Sequence, residues 1–416
     1  MVLCPGSRSG PLALAAAGLK RSGLITLSTA IDERSAGFHA LGRSTASGVA
    51  TAVITTSGTA VANLLPAAVE ADRSSQPLLL ISADRPLRLK NKGANQTVNQ
   101  EAFLTPVCRW CGSGPLDGLN TGLDHELRAL AQNAWRHLHQ QPGPVHLNVP
   151  FEEPLLPDLN QQNAFWNQWN RSEPEAITHT PELWTPASNN AAPALDPDQP
   201  GVIVAGPWRG LSSTLEAYQA ALIAWQQRSG WPVLADPLAA IPNDLSGVIR
   251  YWDLLLPHGL SQMPANAQVL RLGSMPASRR LEAWLESQQG PQLLITEADP
   301  RPLDPLEVAQ QWSGGLSQWW QQLSPQLNAI PAGSCAPTPQ TRSVLESWEN
   351  ADAAVGKRLS ALLPIQGAAN EPALMVALAQ LLPAERPVML AASSPVRDWQ
   401  AFAAGDTGRR RCFSFR

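Results

Sequence analysis

The sequence predicts an α/β protein built from parallel sheets whose faces are covered by helices. Short apolar runs rich in Val, Ile, Leu and Thr recur along the chain, and patterns typical of helices lie between them. Each apolar run ends in a polar or glycine-containing loop. Because parallel neighbours need a crossover connection, strands that alternate with helices at this spacing indicate sheets buried on both faces.

The elements of the first 150 residues follow this alternating order. We expect strands at residues 2–4, 24–27, 49–55, 78–82 and 145–149. We expect helices between them, at residues 11–20, 35–43, 59–71 and 119–137. From about residue 151 to residue 201 the pattern fades into prolines set among Asn, Ala, Asp and Ser, which is typical of an interdomain linker.

A second alternating block has expected strands at residues 201–205, 232–235, 268–272 and 292–296. Two expected helices, 343–363 and 371–382, and a strand at 387–391 then open a third unit. The predicted organisation is a first domain (1–155), a linker (156–200), a central α/β domain (201–330), and a second linker with the start of an incomplete domain (331–416). Because the chain begins inside a strand and the third unit stops before it closes a sheet, we expect truncation at both ends.

Charge and composition argue against several classes of protein. With 30 Lys and Arg against 34 Asp and Glu, the net charge of −4 argues against a general nucleic-acid binder and against a polybasic membrane binder. Five cysteines in 416 residues are too few and too scattered for a secreted disulfide framework. There is no apolar stretch of bilayer length and no recognisable signal peptide. We therefore expect a cytoplasmic protein with no stable membrane insertion.

Four loops are the expected ligand-binding loops, because ligands of such sheets collect at the carboxyl ends of the strands. They are residues 5–9, 32–34, 56–59 and 83–86. Arg8 and Arg85 each follow an expected strand, and a guanidinium matches the geometry of a carboxylate. Two such residues at one edge indicate a small polyanionic substrate. The alternative for each arginine is an ordinary loop-bracing contact.

Three further groups are open between a ligand-binding role and a structural one. Glu33 starts a helix, where it either interacts with the helix dipole or exchanges a proton with a ligand nitrogen. Thr56, Ser57 and Gly58 open a helix and can approach a ligand closely, although they do not form a Walker A loop. Residues 93–96, Gly-Ala-Asn-Gln, either orient a ligand through their amides or form a plain turn.

Two motifs carry little weight. Residues 201–206 loosely resemble a dinucleotide-binding turn but fail the Gly-x-Gly-x-x-Gly spacing. Cys108 and Cys111 form a lone Cys-x-x-Cys, which cannot close a tetrahedral zinc site without more ligands. The cysteine pair is either a redox site or part of a packed loop, and the sequence favours the packed loop.

The loops taken together resemble one known family. Its segments match Pro-Gly-Ser-Arg-Ser (5–9), Asp-Glu-Arg (32–34), Thr-Ser-Gly-Thr-Ala-Val-Ala-Asn (56–63), Ala-Asp-Arg-Pro (83–86) and Gly-Ala-Asn-Gln (93–96). The family is that of the 2-succinyl-5-enolpyruvyl-6-hydroxy-3-cyclohexene-1-carboxylate (SEPHCHC) synthases, thiamine-diphosphate enzymes of menaquinone and phylloquinone biosynthesis. The resemblance covers nearly the whole chain, in the same order and with similar spacing.

This resemblance implies a pyrimidine-binding domain, a Rossmann-like middle domain and a diphosphate-binding domain that is incomplete here. It implies a transferase that decarboxylates 2-oxoglutarate with thiamine diphosphate and adds the succinic semialdehyde unit to isochorismate, giving SEPHCHC and CO2. It also implies active sites between subunits, and therefore a homodimer or homotetramer.

The resemblance assigns roles to individual positions. Glu33 matches the glutamate that hydrogen-bonds the aminopyrimidine of the cofactor, and residues 56–58 match cofactor-binding positions. The residues that match or lie near substrate-binding positions are Ser7, Arg8, Arg85, Asn95, Gln96, Arg279, Arg280, Ser394, Arg397 and Arg416.

One departure from the family concerns the metal. The family holds the diphosphate through Mg²⁺ or Mn²⁺ with a Gly-Asp-Gly segment and a later Asn, whereas residues 405–408 read Gly-Asp-Thr-Gly. We therefore expect no metal ligands in this chain and weak cofactor binding. Two alternatives to a working synthase stay open: an inactive form that serves as a binding or assembly module, and a related thiamine-diphosphate lyase. The number of loop arginines argues against the lyase.

Overall fold

A computed structural model of the chain describes residues 1–169, 192–258, 263–328, 336–363, 370–403 and 410–415. The chain divides into two compact units. The first comprises Met1–Trp184 with Leu211–Ser213, and the second comprises Thr185–Gly210 with Thr214–Arg416. Each unit has its own parallel sheet and its own core.

The first unit contains a six-stranded, all-parallel sheet. Its strands are β1 (Val2–Leu3), β2 (Ser28–Thr29), β3 (Thr51–Thr55), β4 (Leu78–Asp84), β5 (Trp110–Ser113) and β6 (Pro144–Pro150). Their spatial order is β2-β1-β3-β4-β6-β5. Because β2 and β3 lie on opposite sides of β1, the winding of the sheet reverses between β1 and β3. A reversal of this kind leaves a crevice beyond the carboxyl ends of those two strands.

Seven helices in the described part of the first unit accompany this sheet. They are α1 (Gly10–Arg21), α2 (Glu33–Ser47), α3 (Thr59–Ala62), α4 (Leu65–Arg73), α5 (Glu101–Leu104), α6 (Asp124–Gln140) and α7 (Leu159–Trp169). Asp32 fixes the start of α2 by accepting a hydrogen bond from the Ser35 amide at 2.7 Å. Gly48 ends the helix with a φ of 72°. The core between helices and sheet is aliphatic and includes Val53 and Leu80.

The second unit contains a five-stranded parallel sheet with the same winding. Its strands are β7 (Gly201–Ala205), β8 (Val233–Ala235), β9 (Gln268–Leu272), β10 (Gln292–Ile295) and β11 (Gln310–Trp312). Their order is β11-β10-β9-β7-β8. The reversal therefore falls between β7 and β9, the counterparts of β1 and β3.

The helices of the second unit pack into three hydrophobic clusters. They are α8 (Leu215–Ser229), α9 (Trp252–Leu255), α10 (Arg279–Ser287), α11 (Leu316–Asn328), α12 (Pro339–Leu362), α13 (Glu371–Leu381) and α14 (Ser394–Phe402). The Trp225 ring lies edge-on to Trp319 and Trp231, with centroid separations of 4.8 and 5.3 Å. Near the end of the chain, β12 (Val388–Met389) pairs in parallel with β13 (Cys412–Phe413).

The predicted α/β class with parallel sheets flanked by helices is confirmed, and three local expectations are corrected. The strand expected at 24–27 lies instead at Ser28–Thr29, because the pairing of Val2 with Ser28 sets its register. The helix expected at 59–71 is broken in two, since Pro66 at the start of α4 cannot donate the backbone hydrogen bond that would continue α3. The segment expected to be a linker, 156–200, begins with helix α7.

No helix among the described residues is both long enough and apolar enough to cross a membrane.

Candidate active site

The loops that follow β2, β1, β3 and β4 lie side by side at one edge of the first sheet. In that order they carry Glu33, Arg8, Ser57 and Arg85. The loops after β1 and β3 touch at the reversal point, since a Cβ atom on Gly6 would lie 2.4 Å from the Cβ atom of Thr56. Glycine at this position therefore allows the two loops to approach each other closely.

Arg85 is the central cation of this edge. Its buried side chain donates hydrogen bonds from Nη1 to Ser57 Oγ and, at 3.0 Å, to the Gln96 carbonyl. Burial lowers the pKa of Arg85, and the positive charge of Arg8 lowers it further. The two guanidinium groups thus repel each other, and a bound anion beside them would relieve that repulsion.

Arg8 is held against the end of β6. Its Nη1 donates to the Phe151 carbonyl at 3.0 Å, and its Nη2 donates to Glu153 Oε1 at 3.1 Å. The Glu153 side chain is 69% exposed, so this ion pair is weak. A ligand carboxylate can therefore compete with Glu153 for the Arg8 guanidinium.

The other predicted residues of this edge differ in exposure. Thr56 and Ser57 are buried, whereas Ser7, Asn95 and Gln96 are exposed. Gly58 has a φ of 83°, which favours glycine, and its amide donates to Gln100 Oε1 at 3.0 Å. The structure therefore brings Arg8, Arg85, residues 56–58 and the Gln96 backbone together in the first unit.

Glu33 is half-buried in the first turn of α2. Its Oε2 accepts a hydrogen bond from Asn63 Nδ2 at 3.2 Å, and its Oε1 accepts none from any residue that the structure describes. The neighbouring Ile31 side chain is 90% exposed and offers an apolar surface. An open carboxylate oxygen beside an apolar side chain suits a flat heterocycle with a protonated ring nitrogen, so these residues fit the aminopyrimidine half of thiamine diphosphate.

A buried polar network lies beneath this edge, and the sequence analysis did not predict it. Asn148 in β6 donates from Nδ2 to Asp84 Oδ2 at 2.9 Å and to Glu101 Oε1 at 2.8 Å. Lys90 Nζ pairs with the same two carboxylates at 2.7 and 2.8 Å. Gln100 donates from Nε2 to Asn148 Oδ1 at 2.6 Å and holds the loop after β3 through its other side-chain atom. A polar residue inside the apolar run 145–149 was the available signal.

The predicted arginines of the second unit share a cavity of about 290 Å³. Arg279 and Arg280 begin α10, and Arg397 lies on α14. Arg280 Nη1 donates to Asp253 Oδ2 at 3.1 Å. Asp236 and Asp253 also line the cavity. Within the described ranges, neither Arg279 nor Arg397 forms an ion pair, so the three arginines leave the cavity with an excess of positive charge.

The remaining predicted positions contribute less. Ser394 is exposed as the first residue of α14. Arg416 and residues 405–408 lie outside the described residues. The described part of the chain contains no group of three or more His, Cys, Asp and Glu side chains that could hold a metal ion. The fit to the cofactor therefore concerns its pyrimidine half.

Two family patterns match the chain. One, described as "Thiamine pyrophosphate enzyme, N-terminal TPP binding domain", matches residues 1–103. The other, described as "Middle domain of thiamine pyrophosphate", matches residues 163–390. The first match contains Glu33, Arg8, Arg85 and residues 56–58, and the second contains Arg279 and Arg280.

Curated cyanobacterial proteins are similar over the full chain. A 2-succinyl-5-enolpyruvyl-6-hydroxy-3-cyclohexene-1-carboxylate synthase of Synechococcus sp. (strain CC9311) is 82% identical over 416 residues, which are 100% of this chain and 72% of the relative. Proteins of the same name from Prochlorococcus marinus (strain MIT 9313) and Synechococcus sp. (strain WH7803) are 55% and 59% identical. Each aligns with 100% of this chain, and the alignments span 72% and 71% of those relatives.

Proposed function

This chain belongs to the family of SEPHCHC synthases, and from that premise we propose how its residues carry out the reaction of the family. It is a thiamine-diphosphate-dependent transferase of menaquinone and phylloquinone biosynthesis. It decarboxylates 2-oxoglutarate and transfers the succinic semialdehyde unit to isochorismate, giving SEPHCHC and CO2.

The observation that carries the residue assignment is the pair of neighbouring guanidiniums at Arg8 and Arg85. Each substrate is a dicarboxylate, and a buried arginine beside a second cation favours a dianion over a monoanion. Arg85 binds a substrate carboxylate, and Ser57 and the Gln96 carbonyl fix its guanidinium. Arg8 binds a second carboxylate, which displaces the exposed Glu153 from the Arg8 guanidinium.

Glu33 holds a proton at the cofactor. Bound thiamine diphosphate supplies a nucleophilic carbon for the 2-oxo group of the substrate. Glu33 shares a proton with the pyrimidine ring nitrogen through its open Oε1, while Asn63 restrains the carboxylate through Oε2. Residues 56–58 line the same edge and would hold the cofactor there. Mg²⁺ or Mn²⁺ is part of this proposal as the partner of the diphosphate.

Arg279, Arg280 and Arg397 form the second anion site. Their cavity of about 290 Å³ has room for one small carboxylate-bearing molecule. Ser394, Ser7, Asn95 and Arg416 complete the proposed set of substrate-binding residues, through hydroxyl, amide and guanidinium groups.

We propose that the protein acts in the cytoplasm as a homodimer or homotetramer. The resemblance to a family whose active sites lie between subunits supports this proposal. Light scattering of the purified chain would measure its mass in solution, and a purely monomeric solution would contradict the proposal.

The test of the catalytic role is Glu33→Gln. Glutamine keeps the size and the hydrogen bond to Asn63 but cannot hold the proton, so isochorismate-dependent release of CO2 from 2-oxoglutarate should fall by about 100-fold or more. The matched control is Glu371→Gln, an exposed glutamate that also begins a helix. It should leave the rate unchanged. Equal rates for the two variants would remove Glu33 from the mechanism.

Substrate binding gives an independent readout. Calorimetric titration with 2-oxoglutarate should give at least about tenfold weaker binding for Arg85→Ala than for Glu33→Gln. If the unaltered chain binds 2-oxoglutarate but releases no CO2 with both substrates and cofactor present, it is a binding module and the proposed catalytic roles fail.

A further inference from the structure

Two half-buried thiols lie together at the outer edge of the first sheet. Cys108 follows α5, where its amide donates to the Leu104 carbonyl at 3.0 Å. Cys111 lies in β5, the strand at the end of the sheet order. Neither forms a disulfide and neither is fully buried. The pair is therefore accessible to a small molecule and lies away from the candidate active-site loops.

The two sulfur atoms interact directly with each other. The Cys108 thiol donates a hydrogen bond to Cys111, and this bond lowers the pKa of Cys111. The same bond, together with burial, raises the pKa of Cys108. Cys111 therefore carries the thiolate and Cys108 keeps its proton, which is the division of roles between an attacking and a resolving cysteine.

His146 supplies the second support for a thiolate at Cys111. The two residues are register partners in the parallel pairing of β5 with β6. The His146 ring is fully buried, its Nε2 lies 2.7 Å from Ser82 Oγ, and its Nδ1 has no partner with full hydrogen-bond geometry among the described residues. The ring also lowers the pKa of Cys111, as does Thr105.

The surrounding bonds assign the proton on this ring. The Ser82 hydroxyl donates to Asn148 Oδ1 at 3.0 Å, so it must accept from His146 Nε2. His146 Nδ1 is then a bare acceptor on the same strand pair as Cys111, able to take the thiol proton. Arg109 and Asp72 form an ion pair with each other beside Cys108. The Glu101 carboxylate interacts electrostatically with His146.

We propose that Cys108 and Cys111 form a redox-active dithiol site that reacts with disulfides of low-molecular-weight thiols. The Cys111 thiolate attacks one sulfur of the disulfide and expels one thiolate, which leaves a mixed disulfide on Cys111. Cys108 then loses its proton, attacks the Cys111 sulfur and expels the second thiolate. The two protein thiols are oxidised to one disulfide, and the low-molecular-weight disulfide is reduced to two thiols, which take up the protons.

The site is connected to the candidate active site by a short chain of buried hydrogen bonds. From Ser82, which His146 contacts, the chain continues to Gln100 Nε2 at 3.2 Å. Gln100 Oε1 accepts from the Gly58 amide at 3.0 Å. Converting the Cys111 thiolate to a disulfide removes the group that faces His146, and the change passes along these bonds to the loop after β3. Oxidation therefore loosens the Gly58 amide.

The first test compares cysteines within the unaltered chain, without substrates. Cys4 is fully buried, and burial raises its pKa to about 11, which makes it a matched unreactive thiol. Iodoacetamide at pH 7, read by peptide mass spectrometry, should label Cys111 at least about tenfold faster than Cys4. Equal labelling of Cys111 and Cys4 would overturn the proposal.

The second test uses glutathione disulfide with two variants. The unaltered chain should lose two hydrogen atoms and show a Cys108–Cys111 disulfide in its peptides. Cys108→Ser should stop at a glutathione adduct on Cys111, because the resolving thiol is gone, and Cys111→Ser should form neither product. An adduct on Cys108 in the Cys111→Ser variant, at the rate seen for Cys111, would reverse the assigned roles and refute the mechanism.

The coupling has its own readout. Hydrogen–deuterium exchange of the peptide that contains Gly58 should be at least about threefold faster in the oxidised chain than in the reduced chain, and Cys108→Ser treated identically is the control. Identical exchange in the oxidised and reduced chains would refute the link to the active-site loop. None of these measurements depends on turnover, so they stand or fall separately from the proposed function.

Discussion

The two sheets of this protein have the same winding but differ in the residues that lie at the point where the winding reverses. In the first sheet the loops after β1 and β3 carry Arg8 and residues 56–58, above a buried polar network. In the second sheet the Gly206 amide donates to the Leu272 carbonyl at 2.8 Å, and a Cβ atom on Gly206 would lie 1.8 Å from the Ser274 carbonyl oxygen. Backbone contact leaves a cavity of about 20 Å³ at that place.

The comparison shows that sheet topology provides a position for a site and the loops decide whether a site exists there. A parallel sheet that reverses direction always separates two loops at the reversal. At both reversals a glycine, Gly6 or Gly206, allows the chain to pass close to its neighbour. Arg8 and Arg85 place positive charge at this edge of the first sheet, whereas the arginine cavity of the second unit lies beside α10 and α14 and not at its reversal point.

The largest loss of stability is expected at Gly206, at the reversal of the second sheet. Gly206→Ala places a methyl group against backbone, which cannot turn away as a side chain can, and should lower the free energy of unfolding by about 3 kcal/mol or more. Gly6→Ala is the counterpart after β1, where the obstacle is the Thr56 Cβ atom at 2.4 Å, and should cost about 2 kcal/mol. Urea denaturation followed by tryptophan fluorescence measures both, and equal losses would break the comparison.

The next effect concerns the arginines that follow equivalent strands. Arg85→Ala should lower kcat/KM for isochorismate about 100-fold, because a charge-assisted contact with a carboxylate contributes about 2–3 kcal/mol. Arg301 follows β10, the counterpart of β4, and donates from Nη2 to Asp299 Oδ2 at 2.6 Å. Arg301→Ala should change kcat/KM by less than about twofold. Steady-state kinetics would contradict the comparison if Arg301 mattered as much as Arg85.

A smaller effect is expected for the polar network. Gln100→Leu leaves the Gly58 amide and Asn148 Oδ1 without this partner in the interior and should cost about 2 kcal/mol of stability. The buried Gln226 of the second unit accepts from the exposed Ser246 hydroxyl at 2.7 Å, so water can replace it and Gln226→Leu should cost less than about 1 kcal/mol. Thermal unfolding of both variants measures the difference, and the reverse ranking would remove the special status of the network.

The smallest effect is a pH dependence in the second unit. Burial raises the pKa of Glu297, partly offset by the hydrogen bond from the Leu316 amide at 3.0 Å. Because the folded-state pKa exceeds the unfolded one, stability is greatest below the unfolded pKa and falls as pH rises through the folded pKa. Glu297→Gln should therefore stabilise the protein by less than about 1 kcal/mol at pH 7 and by nothing at pH 4. The exposed Glu216→Gln is the control, and a gain that is larger at pH 4 would show the sign to be wrong.

Local sequence patterns predicted many of the strands and helices, because the spacing of apolar residues in each element reflects which of its faces are buried. The runs at 78–82 and 145–149 lie within β4 and β6, since strands buried on both faces are rich in Val, Ile and Leu. By contrast, β5 was not predicted, because Trp110–Ser113 is short and pairs on one side only. A short strand of this kind forms because β6 offers it backbone hydrogen-bond partners.

The candidate site divides in the same way. Arg8, Arg85 and Glu33 were identified from loops that follow strands, and their motif placed them at one edge before any contact was known. The hydrogen bond between Gln100 and Asn148 joins residues 48 positions apart, so no local pattern predicts that these two side chains pair. The sequence likewise favoured a packed loop at Cys108 and Cys111, because no local pattern shows that His146 pairs with Cys111 in the neighbouring strand.

The sequence by itself determined the class of fold, the order of strands and helices, the family and the loops that carry charge. Those properties depend on residues close together in the chain, whose periodicity and turn chemistry are local. Tertiary structure alone decided which loops meet at each reversal, which polar side chains are buried together and which thiol is the proposed thiolate. Those properties depend on the distances between segments that are far apart in the chain and on the exclusion of water between them. Both are set only when the sheets have formed and packed.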